Sequence, residues 1–179
     1  MRKILVGILL YGVFSFIFLK AAYGVSVAGE SARLKGQTKP TITLRLDTRP
    51  LKLASYLRAK NSLLEDKASF MIKVADKYKI DYRLFPAIAG VESGFCKAYI
   101  VSTNNCVGWG GGYIPFKSID SQIETILKAL RERYVNDGLT SVDLIGRRWA
   151  EDPNWSYKVK SYMKEIDGEE LSQIERQEG

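Results

Sequence analysis

The chain of 179 residues contains no histidine and only two cysteines. Without histidine, Ser-His-Asp and Cys-His catalytic triads are excluded, together with the commonest acid–base group at neutral pH. Two cysteines without histidine also make a poor metal site. Any proton transfer must therefore fall to carboxylates, tyrosine, lysine or cysteine, and we expect neither a metal nor a cofactor.

Acidic residues are scarce in the N-terminal third. Residues 1–60 carry 11 Lys and Arg against 2 Asp and Glu, whereas residues 61–179 carry 16 against 18. This imbalance predicts that the basic segment, residues 29–60, is attracted to an anionic membrane or wall surface. We do not expect nucleic acid as a partner, because the basic residues are not interleaved with aromatics and no nucleic-acid-binding motif accompanies them.

The chain begins with a short apolar segment behind two basic residues. Arg2 and Lys3 precede an uncharged, largely apolar run from Ile4 to Leu19. This run is short for a bilayer span but suits the apolar region of a signal peptide, and small residues typical of cleavage sites follow it. We therefore predict that residues 1–28 are a signal peptide or, uncleaved, an N-terminal membrane anchor. Either outcome places the protein outside the cytoplasm, secreted or tethered.

From residue 51 to residue 167, apolar residues recur at helical spacing. This pattern predicts an all-α domain of about six helices. Residues 29–50 would be a basic spacer, with a short alternating stretch at residues 42–46 that allows one strand. Residues 168–179 would be an acidic tail. We expect the protein to be a monomer.

Several helix starts are indicated by capping residues. Asp81 is predicted to cap the third helix, Ser118 or Asp120 the next, and Thr140 or Ser141 a short one after it. The pair Asp152-Pro153 reads as a cap followed by proline at the first position of the last helix.

The segment from Leu84 to Gly112 contains the candidate catalytic residue and most of the candidate binding residues. Read as a helix, the start of this stretch places Glu92 at the edge of an apolar face, and Glu92 is the only acidic residue between Asp81 and Asp120. Apolar surroundings favour the protonated form of a carboxyl group, which a general acid needs near neutral pH. We predict that Glu92 is a general acid; the competing interpretation is a buried carboxylate bonded to backbone amides of the following loop.

A polar segment and a glycine-rich loop with a tryptophan follow this helix and predict a sugar-binding groove. Glycine lets a ligand approach the backbone closely, and tryptophan offers a flat face on which a sugar ring stacks. The candidate substrate-binding residues are Ser102, Asn104, Asn105, Trp109, Gly110, Tyr113 and Trp149, of which Tyr113 is open to either a binding or a structural role.

Structural roles compete with binding for most of these candidates. Trp109, Trp149 and Trp155 all have the size and apolarity of core residues. Asn104 and Asn105 are suited to shaping a turn through side-chain bonds to the backbone. Each of these residues therefore has two interpretations at this point.

The two cysteines, Cys96 and Cys106, flank the polar segment. Behind a secretory N-terminus, this arrangement predicts a disulfide that ties the segment to the end of the Glu92 helix. The alternative is a pair of independent small core residues.

Three segments of the chain resemble motifs of the lysozyme-like superfamily. Residues 75–78 together with residues 86–95 resemble the helix and Glu-Ser motif with which lytic transglycosylases and bacterial peptidoglycan N-acetylglucosaminidases begin their active sites. Residues 104–110 look like the Asn-Asn-x-x-Gly turn of the glucosaminidases, and residues 149–155 resemble their Tyr-Ala-x-Asp-Pro-x-Tyr segment. The similarity covers about residues 64 to 166.

The resemblance implies a lysozyme-like helical domain with a glycine-rich active-site loop and Glu92 as the catalytic residue. It also implies a groove for alternating N-acetylglucosamine and N-acetylmuramic acid. Trp149 replaces the family's tyrosine, so no tyrosine role is carried over, and Cys96 stands where glycine is common. The Gly-Leu-x-Gln and Ala-Tyr-Asn segments of transglycosylases are absent as such, which favours the mannosyl-glycoprotein endo-beta-N-acetylglucosaminidase-like domain.

The predicted function is cleavage of β-1,4 glycosidic bonds in peptidoglycan strands, by N-acetylglucosaminidase-type hydrolysis or else by lytic transglycosylation. Most glycosidases use two carboxylates. Asp120, Glu124 and Asp152 are candidates for the second one, against their interpretation as solvated helix starts and caps. The substrate's own acetamido oxygen or 6-hydroxyl is able to replace it.

Two other classes of function remain open at the level of sequence. One is a non-catalytic module on the same fold that binds cell-wall glycan. The other is an anchored interaction protein that acts through its basic segment.

Overall fold

The computed structural model describes residues 46–169. Several predicted features lie outside this range. They are the signal or anchor helix, residues 42–45 of the possible strand, most of the spacer and most of the acidic tail. Leu46 itself has no regular secondary structure. Within residues 46–169, no helix has the length and apolarity that a membrane crossing requires.

The described chain folds into helices and contains no strand, which confirms the all-α prediction for this range. The α-helices are α1 (Arg49–Ala59), α2 (Ala68–Tyr78), α3 (Leu84–Ser93), α4 (Ile119–Ala129), α5 (Val142–Trp149) and α6 (Trp155–Asp167). A π-helical segment, Leu130–Val135, continues α4. Short 3₁₀ turns occupy Glu65–Lys67, Val101–Thr103 and Trp109–Gly112.

The helix α3 forms the centre of the core. All of its residues from Leu84 to Gly90 are buried, as expected for a helix that is apolar on every side. It packs chiefly against α6. At Gly90 the approach is so close that a Cβ atom would lie 2.7 Å from the ring of Phe95 and 3.0 Å from that of Tyr162.

Two of the predicted helix caps are confirmed. Ser118 precedes α4, and its hydroxyl accepts the N–H of Ser121 at 3.1 Å while the Ser121 hydroxyl accepts the N–H of Ser118 at 3.0 Å. This reciprocal pair satisfies two N–H groups that the helix itself leaves unbonded. Ser141 caps α5 by accepting the N–H of Leu144 at 3.2 Å.

The predicted caps at Asp152 and Asp81 are wrong in detail. The last helix begins at Trp155, and the Asp152 carboxylate instead accepts the N–H of Asn154 at 2.8 Å. Asp81 likewise accepts the N–H of Arg83 at 3.0 Å, one residue before α3 begins. In both places the aspartate carboxylate accepts the N–H of the residue two positions later and so closes a turn. This bond competes with the bond that would cap the helix.

The helix α3 ends earlier than its apolar stripe suggests. Gly94 adopts a left-handed conformation (φ +58°), and the N–H of Phe95 returns to the carbonyl of Ala89 at 2.9 Å. Phe95 therefore lies beyond the helix, although it is buried. Glu92 consequently occupies the last turn of α3, where the chain leaves the core.

Candidate functional site

Glu92 is exposed, whereas its place beside an apolar stripe predicted a position at the edge of the buried face. Within residues 46–169, its carboxylate accepts no hydrogen bond from backbone amides of the following loop. Instead Oε1 accepts two indole N–H groups, that of Trp155 at 2.8 Å and that of Trp149 at 3.1 Å. The side chain is therefore held at one oxygen and reaches solvent at the same time.

Four aromatic residues, Trp109, Tyr134, Trp149 and Trp155, form an aromatic wall beside this carboxylate. The Trp149 ring stacks on Trp155 at 5.9 Å and contacts Trp109 at 5.4 Å and Tyr134 at 5.9 Å between ring centroids. Burial raises the pKa of Tyr134, so its hydroxyl stays protonated over a wide pH range. The core interpretation of Trp155 is confirmed by its 2% exposure, yet its N–H also reaches Glu92.

The glycine loop passes directly over the Glu92 side chain. A Cβ atom on Gly108 would lie 3.0 Å from Oε2 of Glu92, and one on Gly110 would clash with the Ile114 side chain. Both glycines have positive φ (+66° and +59°), a conformation that L side chains rarely adopt. Glycine is thus required here for both backbone conformation and close approach.

Three cavities that share lining residues lie along this loop, and together they are referred to as the groove. The Glu92 cavity, about 210 Å³, includes Glu92, Asn105 and Gly108 in its lining. The glycine cavity, about 470 Å³, shares Gly108 with it and adds Trp109, Gly110 and Trp149 among others. The charged cavity, about 420 Å³, shares Trp109 with the glycine cavity. Its lining is Tyr78, Trp109, Glu124, Thr125, Lys128, Ala129, Glu132 and Arg133.

Asn105 organises the loop that carries these glycines. Its Nδ2 donates to the carbonyls of Trp109 (2.8 Å) and Ile114 (3.1 Å), and its Oδ1 accepts the Trp109 N–H (3.0 Å) and Gln122 Nε2 (3.2 Å). Asn105 is 2% exposed and Gln122 is fully buried. These four bonds use the whole hydrogen-bonding capacity of the amide, so Asn105 acts on the groove by shaping its wall.

The remaining candidates lie outside the three cavities. Asn104 takes a left-handed conformation (φ +49°) and donates to the Phe116 carbonyl at 3.0 Å, which is a turn-shaping bond. Ser102 is exposed, and Tyr113 is 77% exposed. The structure thus brings Glu92, Asn105, Trp109, Gly110 and Trp149 together along the groove and leaves Ser102, Asn104 and Tyr113 at its margin.

A disulfide joins Cys96 to Cys106, as the sequence predicts. Both residues are fully buried. Ser93, next to Glu92, reinforces the link, because its hydroxyl donates to the Cys106 carbonyl at 2.6 Å and accepts the Cys96 N–H at 2.9 Å. The start of the glycine loop is therefore fastened to the end of α3.

Removing this disulfide is expected to destabilise the fold. The Cys96→Ala/Cys106→Ala double variant should lose about 2–4 kcal/mol of unfolding free energy, the usual effect of a native crosslink. Urea unfolding of the full chain measures the difference. A reductant should lower the unfolding free energy of the wild type to that of the variant and leave the unfolding free energy of the variant unchanged. The expectation would be contradicted if the wild type, reduced so that both thiols can be titrated, unfolded at the same urea midpoint as the oxidised wild type.

The three candidates for a second carboxylate are all engaged with lysines. Asp120 lies 3.3 Å from Lys67 Nζ, Glu124 lies 2.5 Å from Lys77 Nζ, and Asp152 lies 2.8 Å from Lys158 Nζ. The ammonium groups of Lys77 and Lys158 hold the pKa values of Glu124 and Asp152 below their ordinary values. Of the three carboxylates, only that of Glu124 lines the groove, and it does so at the charged cavity.

Within residues 46–169 there is no cluster of three or more metal-ligating side chains. The groove therefore offers Glu92, the aromatic wall, glycine backbone and a charged far end as its chemical groups.

The Gly108→Ala substitution is expected to reduce any activity that depends on Glu92. The new methyl group would press against Oε2 in addition to straining the backbone at φ +66°. Gly138→Ala is the matched control, because Gly138 has φ +87° with nothing within 4 Å of its Cβ position. Both variants should lose about 1 kcal/mol of stability, but only Gly108→Ala should reduce an activity that depends on Glu92. For the glycan cleavage predicted from the sequence, the measurement is release of soluble fragments from peptidoglycan. Equal activity losses in the two variants would mean that strain alone is responsible.

Sequence reasoning missed the pairing of Trp149 and Trp155 with Glu92. The two indoles lie 57 and 63 positions after the glutamate, and a turn between α5 and α6 brings both onto the end of α3. The spacing of the two tryptophans, on either side of the Asp152 turn, was the only available signal.

Comparison with protein-family models finds no match, and no curated protein matches the chain.

Proposed function

We propose that this chain is a lysozyme-like α-helical enzyme that cleaves β-1,4 glycosidic bonds in peptidoglycan, with Glu92 as its general acid. One observation carries the proposal: Glu92 is held at Oε1 by two indole N–H groups and opens into a groove of glycine and tryptophan. Flat aromatic faces and exposed backbone suit the stacking and hydrogen bonding of sugar rings.

The two indole bonds support Oε2 as the oxygen that delivers the proton. Because Oε1 accepts both N–H groups, the acidic proton of Glu92 resides on Oε2. That oxygen faces Gly108, where any side chain would crowd it, and a glycosidic oxygen bound in the Glu92 cavity would receive the proton from it. The proton passes from Oε2 to this oxygen as the bond to the sugar C1 breaks, which leaves Glu92 as a carboxylate. The indole bonds strengthen as the negative charge develops on it.

The substrate completes the reaction, because Asp120 and Asp152 line none of the three cavities and Glu124 lines the charged cavity, which does not include Glu92. In one route the acetamido oxygen of the substrate attacks C1. Water, giving a proton to the Glu92 carboxylate, then opens the cyclic intermediate to a reducing N-acetylglucosamine end. In the other route the 6-hydroxyl of muramic acid attacks C1, gives its proton to the Glu92 carboxylate and leaves an anhydro end. Substrate-assisted cleavage of this kind needs only one protein carboxylate.

Digestion of purified peptidoglycan by the full chain, with the products analysed by mass spectrometry, tests the proposal. We expect soluble fragments with reducing N-acetylglucosamine ends, which is glucosaminidase action. Anhydro ends would assign lytic transglycosylation instead, and reducing muramic acid ends would assign a muramidase. Peptidoglycan that yields no fragments while the protein sediments with it would overturn the catalytic proposal.

A wall-binding module without turnover is the second candidate function. Two observations favour it: Glu92 is exposed, and the three other candidate carboxylates are each engaged with a lysine. In that case the groove binds glycan and nothing is cleaved. Sedimentation with the wall together with the digestion above separates the two functions.

We further propose that the protein acts outside the cytoplasm as a monomer, secreted or tethered by residues 1–28. The basic segment, residues 29–60, would hold it against anionic lipid or wall polymer and so keep the groove near its substrate. Attraction of this kind weakens as salt is added.

A further inference from the structure

We propose that the charged cavity binds the carboxylate groups that side branches of the wall strand carry. This inference rests on the proposed function, because it adds to the glycan groove a site for the part of the substrate that is not sugar. The residues that carry it are Trp109, Lys128 and Arg133.

The charged cavity continues the groove that begins at Glu92. Trp109 lines both the glycine cavity and the charged cavity. Its ring lies 5.4 Å from that of Trp149, whose Nε1 is 3.1 Å from Glu92 Oε1. A strand with a sugar bound at Glu92 and a second one against Trp149 would thus extend toward Trp109 and the cavity beyond it.

The charges along the groove are unequal. The Glu92 cavity contains no cation in its lining, and the glycine cavity contains Arg148, which is paired with Asp137 at 2.8 Å. The charged cavity contains Lys128 and Arg133 together with Glu124 and Glu132. Of the cations that line the groove, Arg133 alone has no salt bridge to a carboxylate within residues 46–169. The first two cavities thus suit uncharged sugar rings, and Arg133 gives the third a group that suits an anion.

Within the charged cavity, Arg133 is the cation best placed to bind a ligand. Glu124 is neutralised by Lys77 at 2.5 Å, and Lys128 lies 3.9 Å from Glu132 in an exposed, loose pair. In the described part of the chain, no carboxylate forms a salt bridge with the guanidinium of Arg133. The forked N–H groups of arginine bind a carboxylate through two parallel hydrogen bonds.

The substrate class supplies a matching anion. N-acetylmuramic acid carries a lactyl group whose carboxyl is either free or extended by a short peptide that ends in carboxylates. Both sources present the same chemistry to Arg133. Tyr78 and Trp109 add apolar surface against which a peptide or lactyl methyl group packs.

Binding measurements on the full chain test this inference without requiring cleavage. The parent is Glu92→Gln, which keeps the ligands intact, and the test variant adds Arg133→Gln. Arg147→Gln is the matched control, because Arg147 is exposed on α5 and lines none of the three groove cavities. The three ligands are a neutral N-acetylglucosamine oligomer, a peptide-free glycan strand with free lactyl carboxylates, and peptide-bearing strand fragments. Thermal unfolding of each variant confirms that it is folded.

We expect Arg133→Gln to weaken binding of carboxylate-bearing ligands about five- to ten-fold, as for loss of a charge-assisted hydrogen bond. The neutral oligomer should bind as it does to the parent, and Arg147→Gln should change none of the affinities. A loss confined to peptide-bearing fragments would assign the peptide carboxylates, and a loss with both charged ligands would include the lactyl group.

Two results would overturn the inference: unchanged affinity of Arg133→Gln for all three ligands, or an equal loss for the neutral oligomer. Neither depends on catalysis. The wild type could cleave nothing while Arg133→Gln still weakens binding of the carboxylate-bearing ligands. That result would refute the proposed reaction and support the carboxylate site.

Discussion

Replacing Glu92 by glutamine is expected to abolish release of soluble fragments from peptidoglycan, with a rate loss of about a hundred- to ten-thousand-fold, the usual contribution of a general acid. The reason is chemical rather than structural. The amide oxygen of glutamine still accepts the N–H groups of Trp149 and Trp155, so the side chain keeps its position. The amide nitrogen that replaces Oε2, however, has no proton acidic enough to give to a glycosidic oxygen.

The matched control is Glu151→Gln, the same change at an exposed acid in the turn between α5 and α6, outside the groove. This variant should digest the wall at the wild-type rate. Glu92→Gln should still sediment with the wall, since its groove is unchanged. If Glu92→Gln retained a tenth or more of the wild-type rate, Glu92 would not be the acid.

The second large effect is expected at the two tryptophans that hold Glu92. Trp149→Phe and Trp155→Phe each remove one indole N–H from Oε1 and keep an aromatic ring. A hydrogen bond to a charged group contributes about 1.5–3 kcal/mol, so each substitution should slow cleavage by about ten- to a hundred-fold. The loss should fall on kcat, because these bonds are strongest once the proton has left.

The two substitutions should differ in their cost to stability. Trp155 is 2% exposed in the core, so its replacement leaves a space among packed side chains, whereas Trp149 is only half-buried. Trp149→Phe is therefore the cleaner test of positioning. Trp109→Phe is the comparison, because Trp109 belongs to the same aromatic wall and has no bond to Glu92.

Trp109→Phe should raise KM more than it lowers kcat, since its ring contributes to binding. Steady-state kinetics on a soluble glycan fragment distinguishes the two patterns. An unchanged kcat in Trp149→Phe, or one pattern shared by all three variants, would rule out the positioning role. Of the chain's three tryptophans, two line the groove and the third, Trp155, is bonded to Glu92, so intrinsic fluorescence also reports ligand binding.

Features that depend on neighbours in sequence were predictable. Helical spacing of apolar residues indicates α4, and Ser118 and Ser141 cap helices because their hydroxyls reach N–H groups three residues on. The disulfide between Cys96 and Cys106 joins residues ten positions apart. Where two local bonds compete, the prediction fails, as at Asp152, whose carboxylate closes a turn and delays α6 to Trp155.

The sequence by itself determined the helical class of the described domain, its only acidic residue between Asp81 and Asp120, and the glycines of the loop that covers it. Only the tertiary structure decided what surrounds that acid. The indole of Trp155 reaches Glu92 because α6 packs against α3, and the indole of Trp149 reaches it because α5 packs in turn against α6. Glu124 meets Tyr78 across 46 residues because α4 packs against α2. Such contacts follow from how apolar faces pack together, and packing between distant segments leaves no local signal in the chain.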